Sequence, residues 1–296
     1  MENVYGKNTA AALAEIYPQL YIVPCGEESE EQYRQTVRRG ILPAVRKLDH
    51  FICDDGDSCV NTETPAGTVA VVTFVRREDF EMFYTIMGYK CVRTEIPPEI
   101  GAAILDGVIN RTKINSHLEE YENTEKAAGR IPDRNAEFQR FTADKKNYLD
   151  ALIVLSSGCY SNIPPERVGL SEEEWLKKSH EIRLAHECTH FICRRKYREQ
   201  IEPVWDEIVA DAAGIIYAFG RFDGDLERMF LGVSESGYTG GRLERYASDT
   251  DTDTLAKKVD KTIRGISEIY RKSGSSGAYE FAETLEKAQY DLWEQR

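Results

Sequence analysis

Long apolar runs are missing from this chain of 296 residues: no stretch approaches the 18 or more needed to span a bilayer, which excludes a helical membrane protein. Positive charge is in short supply as well. Lysine and arginine number 38 against 51 acidic residues, and the net charge of −13 argues against nucleic acid or an anionic membrane as a partner. The opening MENVYGKNTA has none of the positive charge that begins a secretory signal. Cysteines are few and unpatterned: seven, an odd number, at positions 25, 53, 59, 91, 159, 188 and 193, which read as reduced thiols and not as a disulfide framework. Together these absences predict a cytoplasmic protein. No internal repeat is visible, and the length suits one large domain or two closely packed ones.

Histidine is scarce too, only five in the chain, yet two of them fall in one pentapeptide, His186-Glu187-Cys188-Thr189-His190. Residues four apart on a helix lie on one face, so His186 and His190 can aim a ring nitrogen at the same ion, about 2.0 to 2.1 Å away for zinc. Glu187 lies roughly 100° round the helix, near the open position of such an ion, where it can take a proton from water without binding the metal. The context suits a helix. Ser171 with Glu174 forms a capping box, Glu172, Glu173 and Glu174 place negative charge at the positive end, and Arg194, Arg195 and Lys196 suit the other. A helix over about 172 to 195 follows.

The segment from Pro203 to Gly220, PVWDEIVADAAGIIYAFG, has proline for a first helical position and glycine for a C-terminal cap. Apart from Asp206, Glu207 and Asp211 nearly every residue is apolar, so this helix belongs in the interior. Glu207 and Asp211 share one face of it. Burying two unpaired carboxylates costs several kcal/mol each, so something positive must meet them, and a zinc ion with its histidines is the natural candidate.

In these motifs the chain resembles the gluzincin zinc metallopeptidases, in which HExxH is followed on a second helix by a glutamate and, four residues later, an aspartate. His186, Glu187 and His190 match the first motif, and Glu207, Ala210 and Asp211 match the E-x-x-A-D form of the second. The resemblance covers about residues 171 to 220. It implies one zinc per chain held by His186, His190 and Glu207, with Asp211 orienting a histidine, His186 in the first instance, through its second ring nitrogen. It also implies a downstream tyrosine, histidine or arginine facing the oxyanion of the intermediate. Tyr246 and Arg242, in the glycine-rich stretch GYTGGRLERY (237–246), are the candidates by that analogy, with a solvated loop as the plain alternative.

Neighbouring patterns are set aside on named residues. The extended metzincin motif needs glycine at 193 and histidine at 196, where this chain has Cys193 and Lys196. A variant with Asp211 as the third ligand and Glu207 outside remains open to geometry. Cys188 lies about 200° round the helix from His186 and is read as packing, and His180 falls off the ligand face. The acidic runs Asp54, Asp55, Asp57 and Asp249, Asp251, Asp253 lack an EF-hand pattern and read as solvated loops.

Elsewhere, helical patterning falls near 8 to 17, 30 to 50, 77 to 88, 98 to 111, 134 to 149 and 226 to 233. Thr68 to Val75 and Leu152 to Leu155 read as strands, and 115 to 135 as an exposed excursion. Either strand could pair with an extended substrate if it lies at a sheet edge. Segments 252 to 272 and 278 to 294 read as a helical hairpin joined by SGSSG, with Leu255, Val259, Ile263, Ile266 and Ile269 as its apolar stripe. The expected fold is α+β. Residues 151–296 form a mainly helical, zincin-like catalytic region with a small sheet and the C-terminal hairpin, and residues 1–150 an α/β region packed over the cleft. The expected activity is hydrolysis of a peptide or protein substrate, with Glu187 as general base. A zinc amidase on a non-peptide substrate is the near alternative. A binding protein with a structural or vestigial metal is the distant one, against which Glu187 speaks because holding zinc does not require it.

Overall fold

The computed structural model describes residues 2–197, 202–247, 251–273 and 277–294. It is an α+β protein, mainly helical. In chain order, β1 (Val4–Tyr5), α1 (Thr9–Ile16), α2 (Glu27–Arg34), β2 (Ser58–Thr64), β3 (Gly67–Phe74) and α3 (Arg77–Met87) come first. Next are β4 (Ala102–Ile109), α4 (Arg111–Ala127), α5 (Arg134–Ala143) and β5 (Leu149–Ser156). They are followed by α6 (Pro165–Val168), α7 (Glu172–Lys196), α8 (Pro203–Phe219) and α9 (Gly224–Leu231). A small ribbon of β6 (Val233–Ser234) and β7 (Gly237–Tyr238) precedes the hairpin helices α10 (Thr252–Ser273) and α11 (Ala278–Gln289). The centre of SGSSG, and Asp249, lie outside the described residues.

The chain divides into two compact units, each assembled from separate stretches. The first comprises Met1–Asn61, Val69–Ile96 and Ile104–Val154; the second comprises Thr62–Thr68, Pro97–Ala103 and Leu155–Arg296. The five-stranded sheet runs in the order β1-β2-β3-β5-β4. Its inner strands β3 and β5 bury Val69, Val71, Val72 and Phe74, and Leu152 through Leu155, which is why both read as nearly unbroken apolar runs. Neither is therefore an edge, and neither can serve the pairing expected of them. The long edge strand is β4, in a region whose pattern suggests a helix. Ala102, Ala103, Ile104, Leu105, Val108 and Ile109 fit both periods, and pairing with β5 decides for the strand.

Four more expectations change in this first unit. The helix expected over 30 to 50 runs from Glu27 through a wider turn at Gln35–Arg39 and stops at Gly40, whose φ of 72° ends it two residues before Leu42-Pro43. The excursion expected at 115 to 135 is mostly helix α4, capped by Asn110 and burying only Ile114 and Leu118, too few apolar residues to set a visible period. The helix expected over 134 to 149 stops at Ala143, and by Leu149 the chain is already strand. Asp57 is buried, not solvated, and accepts the amides of Val75 and Asp54, both at 2.9 Å.

In the second unit α7 and α8 pack face to face. Gly214 is what permits it: a Cβ there would lie 2.9 Å from the Ile182 side chain and 3.0 Å from its carbonyl, so any larger residue would push the helices apart. Trp205, Ile208, Val209, Ala212 and Ile216 of α8 join a core with the inner faces of α10 and α11, where Leu255, Val259, Ile263 and Ile266 are buried. Capping fixes the helix ends as the sequence suggests. Ser171 and Glu174 form the box at the start of α7, and Gly220, at φ 70°, closes α8.

Candidate metal centre

One turn apart on α7, the His186 and His190 rings bring their Nε2 atoms to 2.9 Å from each other. From α8, the Glu207 carboxylate completes the group: Oε2 is 3.6 Å from His186 Nε2 and Oε1 is 3.5 Å from His190 Nε2. Ligands about 2.0 to 2.1 Å from a tetrahedral ion sit about 3.3 Å from one another, so the three spacings bracket what such an ion requires. These three side chains can hold a metal ion, and among the described residues they are the group so placed.

The outer ring nitrogens explain why the inner ones converge. His186 Nδ1 lies 3.0 Å from Asp211 Oδ1 and 2.9 Å from the Tyr160 hydroxyl, while His190 Nδ1 lies 2.8 Å from Asp206 Oδ2. A carboxylate beside Nδ1 keeps the proton there, which leaves both Nε2 lone pairs aimed at the same point. Two lone pairs at 2.9 Å repel unless a cation or a proton sits between them. The donor set therefore suits a cation. Without a metal a proton takes the role: burial works against a charged His190, but Asp206 and Glu207 outweigh it and hold its pKa well above the ordinary value. Burial likewise pushes Glu207 up, yet His190, His186 and Arg242 prevail and keep it anionic.

Around the ligands lies a buried polar brace. Asp211, fully buried, accepts the Tyr160 hydroxyl at 2.6 Å and pairs with Arg242 Nη2. Burial opposes its charge, and Arg242 and His186 restore it, keeping the carboxyl below its usual range. Arg242 Nη1 is also 3.3 Å from the Tyr160 hydroxyl and 3.8 Å from Glu207, and the guanidinium lies 5.1 Å from the Tyr160 ring centroid. The loop thus delivers Arg242 into the interior, and the solvated alternative does not hold for that side chain. It does so because Gly241 packs backbone to backbone on Gly232, where no Cβ fits, and because Arg245 pairs with Glu99. With its guanidinium committed to Asp211, Tyr160 and Glu207, Arg242 braces the ligands from behind.

Tyr246 is half-buried on the same short helical turn and bonds the Glu207 carboxylate; burial, then Glu207, pushes its hydroxyl above the ordinary tyrosine range. Glu187 is buried beside His186 and makes no hydrogen bond or ion pair among the described residues. Cys188 and Cys193 are both buried, bond to Tyr279 and Glu286 respectively, and do not join the cluster. Tyr160, Asp206 and Glu227 escaped the sequence reading. Asp206 had a signal, a third acid in an apolar helix directly before the ligand. Tyr160 and Glu227 had none: one sits in the short turn after β5, the other on a helix whose acids otherwise face solvent. Glu227 is fully buried with neither oxygen bonded, and burial, reinforced by Asp211, raises its carboxyl well above the ordinary glutamate range.

Residues 2–281 match the family of unknown function DUF7005. The chain belongs to that family. No curated protein and no solved structure matches it. For this DUF7005 chain the metal cluster and its brace therefore carry the functional argument. Among the described residues no helix is long and apolar enough to cross a membrane.

Proposed function

We propose that the protein is a zinc-dependent peptide hydrolase of the gluzincin type. The observation that carries the reading is the pairing of a His186, His190 and Glu207 cluster with a buried, uncommitted Glu187 next to it in sequence. Two imidazoles and one carboxylate leave a tetrahedral zinc one open position, the pattern of catalytic and not structural sites. A zinc ion held by His186, His190 and Glu207 would supply a Lewis acid for the carbonyl and would lower the pKa of a water towards 7. Glu187 takes the water's proton and passes it to the leaving amine. Asp211 and Asp206 keep the two rings in the ligating tautomer, and Arg242 with Tyr160 holds Asp211 in place. Asp211 lies behind His186 Nδ1, which favours Glu207 as the third ligand over the aspartate-liganded variant. An amide outside a peptide is the same chemistry with a different leaving group.

The test uses the whole chain. Elemental analysis of protein purified without added metal should find about one zinc, and Glu207→Gln should lose most of it. Glu187→Gln should keep zinc and fold while cleavage of a mixed peptide library, read by mass spectrometry, drops by about 10²- to 10⁴-fold. Undiminished cleavage by zinc-loaded Glu187→Gln protein would overturn the mechanism. Loss of zinc from Asp211→Asn but not from Glu207→Gln would exchange the two acids' roles.

A further inference from the structure

The first unit contains a groove of about 430 Å³ whose long wall is the run Ile104–Ile109, six consecutive residues of β4. Facing that wall are Arg34, Val37 and Arg38 from α2 and the turn after it, and Met87 and Lys90 from the end of α3. β4 closes the strand order, so one long side of it is turned away from β5. The strand is also bent. The amide of Asn110 donates to Tyr148 and that of Ser156 to Gly101, which makes β4 and β5 antiparallel. From Gly101 to Asn110 the chain uses one residue more than from Tyr148 to Ser156. That surplus is a bulge, and Gly107, at φ 79°, is the residue whose backbone allows it.

The charge of the groove runs against that of the protein. In a chain with a net charge of −13, the groove's walls carry Arg34, Arg38 and Lys90. Arg34 pairs with Glu31 at 2.9 Å, but Arg38 and Lys90 make no ion pair or hydrogen bond among the described residues. Asp106 is the one carboxylate on the groove's walls. Lys90 and Cys91 are moreover held one after the other at φ 56° and 68°, a left-handed conformation that costs non-glycine residues energy and that fixes Lys90 at the rim.

We infer that this groove binds an extended acidic peptide segment, which adds as a strand along β4 and presents carboxylates to Arg38, Lys90 and Arg34. Strand addition supplies main-chain hydrogen bonds, and alternate side chains, all on one face, meet the cations. The wall is roughly 17 to 20 Å long, enough for a six-residue strand. A phosphate or a small anion would use the cations but not the six-residue wall, and a lipid surface would not enter the groove.

The inference goes beyond the metal reading and does not rest on it, because binding is measured without cleavage. The probe is a fluorescein-labelled ten-residue peptide alternating glutamate and valine, titrated by anisotropy against the full wild-type chain, with the probe's integrity checked by mass spectrometry. Binding should weaken by about tenfold or more in the double variant Arg38→Glu/Lys90→Glu, and should fall as salt is raised. It should also be lost when alternate amides of the probe are N-methylated, which spares every charge. The same probe with lysine for glutamate should not bind. Equal affinity for the methylated and unmethylated probes, or for the acidic and basic ones, would overturn the inference. So would an absence of binding, which would leave the bulge and the cations as devices that only blunt a sheet edge. Variant-sensitive binding to phosphatidylserine vesicles with none to the peptide would overturn it too, in favour of a lipid surface.

Discussion

The candidate metal centre and the α4–α5 arm are both dense in ion pairs, and they stand at opposite ends of what an ion pair can do. Around α7 and α8, Asp211 meets Arg242, His190 meets Asp206 and Glu207, and His186 meets Asp211, with every partner buried or nearly so. On the arm, Glu122 meets Lys126 and Arg134, Glu125 meets Arg130, and Arg140 reaches Glu137, but the basic partners are about half or more exposed. In water such pairs gain little, because solvent offers each charge nearly as good a partner. In the interior each charge depends wholly on its neighbour. Removing one partner then costs far more than the pair contributes on balance.

The sharpest way to break that comparison is to orphan one buried charge. Asp211→Ala leaves the largely buried Arg242 with Glu207, at 3.8 Å, and Tyr160, through its hydroxyl at 3.3 Å and its ring, to face. Destabilisation of about 3 to 5 kcal/mol is expected in metal-free protein, read by chemical denaturation. The double variant Asp211→Leu/Arg242→Met removes both charges and should recover part of that loss. A single-variant cost below 1 kcal/mol would mean that water reaches the brace and that it is no more buried in effect than the arm.

A second test separates support of the metal from support of the fold. Asp206→Asn and Asp211→Asn keep the size of each side chain but weaken its hold on a histidine Nδ1 proton. Each should lower metal affinity by roughly 10- to 100-fold in a chelator competition, with a smaller effect on the denaturation midpoint. Asp206 is the more informative of the two, since its role rests on the 2.8 Å approach to His190 alone. An unchanged metal affinity in Asp206→Asn would show that His190 needs no partner to keep its tautomer.

How much of this was legible depended on how local the signal is. Within α7 and α8 everything needed lies on two helices: the i, i+4 pair, the capping residues and three acids in an apolar run. Their sequence therefore announces both the elements and the three side chains that cluster. The inner strands β3 and β5 are legible for the same reason, as apolar runs buried on both faces. β4 is not, because an edge strand has one bare side and its pattern is decided by β5, some forty residues on. Tyr160 and Arg242 reach Asp211 from 51 and 31 residues away. No periodicity links such positions, and the GG step that lets the Arg242 loop pack against Gly232 reads equally well as a flexible turn.

A pH experiment probes the boundary between the two kinds of region. On α11, burial and then Asp206 push the Glu286 carboxyl up to about 7, against the opposing bonds from Trp205 Nε1, at 3.2 Å, and Cys193. An unfolded glutamate titrates near 4.3. Between about 4.3 and 7 the folded chain therefore keeps a proton that the unfolded chain has lost. This group's contribution to stability falls as pH rises through that window and is level above it. Glu286→Gln should abolish that slope. The variant should match the wild type near pH 4 and exceed it at pH 8 by an amount on the order of 1 kcal/mol, after allowance for partial exposure. Parallel pH profiles for the two proteins would show that the carboxyl is solvated in both states.

The smallest effect is expected on the arm, and it tests the comparison from the other side. Glu122 has two partners, Arg134 at 2.6 Å and Lys126 at 3.4 Å, so by count it is better connected than Asp206, whose ion pair is with His190. The two arginine and lysine side chains are 48 % and 62 % exposed, and salt at physiological strength screens charges beyond about 8 Å. Glu122→Gln keeps the side chain's length and its ability to accept from Arg134. No resolvable shift in the denaturation midpoint is expected at physiological salt, and only a slight fall at low salt. A loss comparable to that of Asp211→Ala would mean that the arm's ion pairs act as a connected network, and that counting partners, not burying them, is what decides their weight.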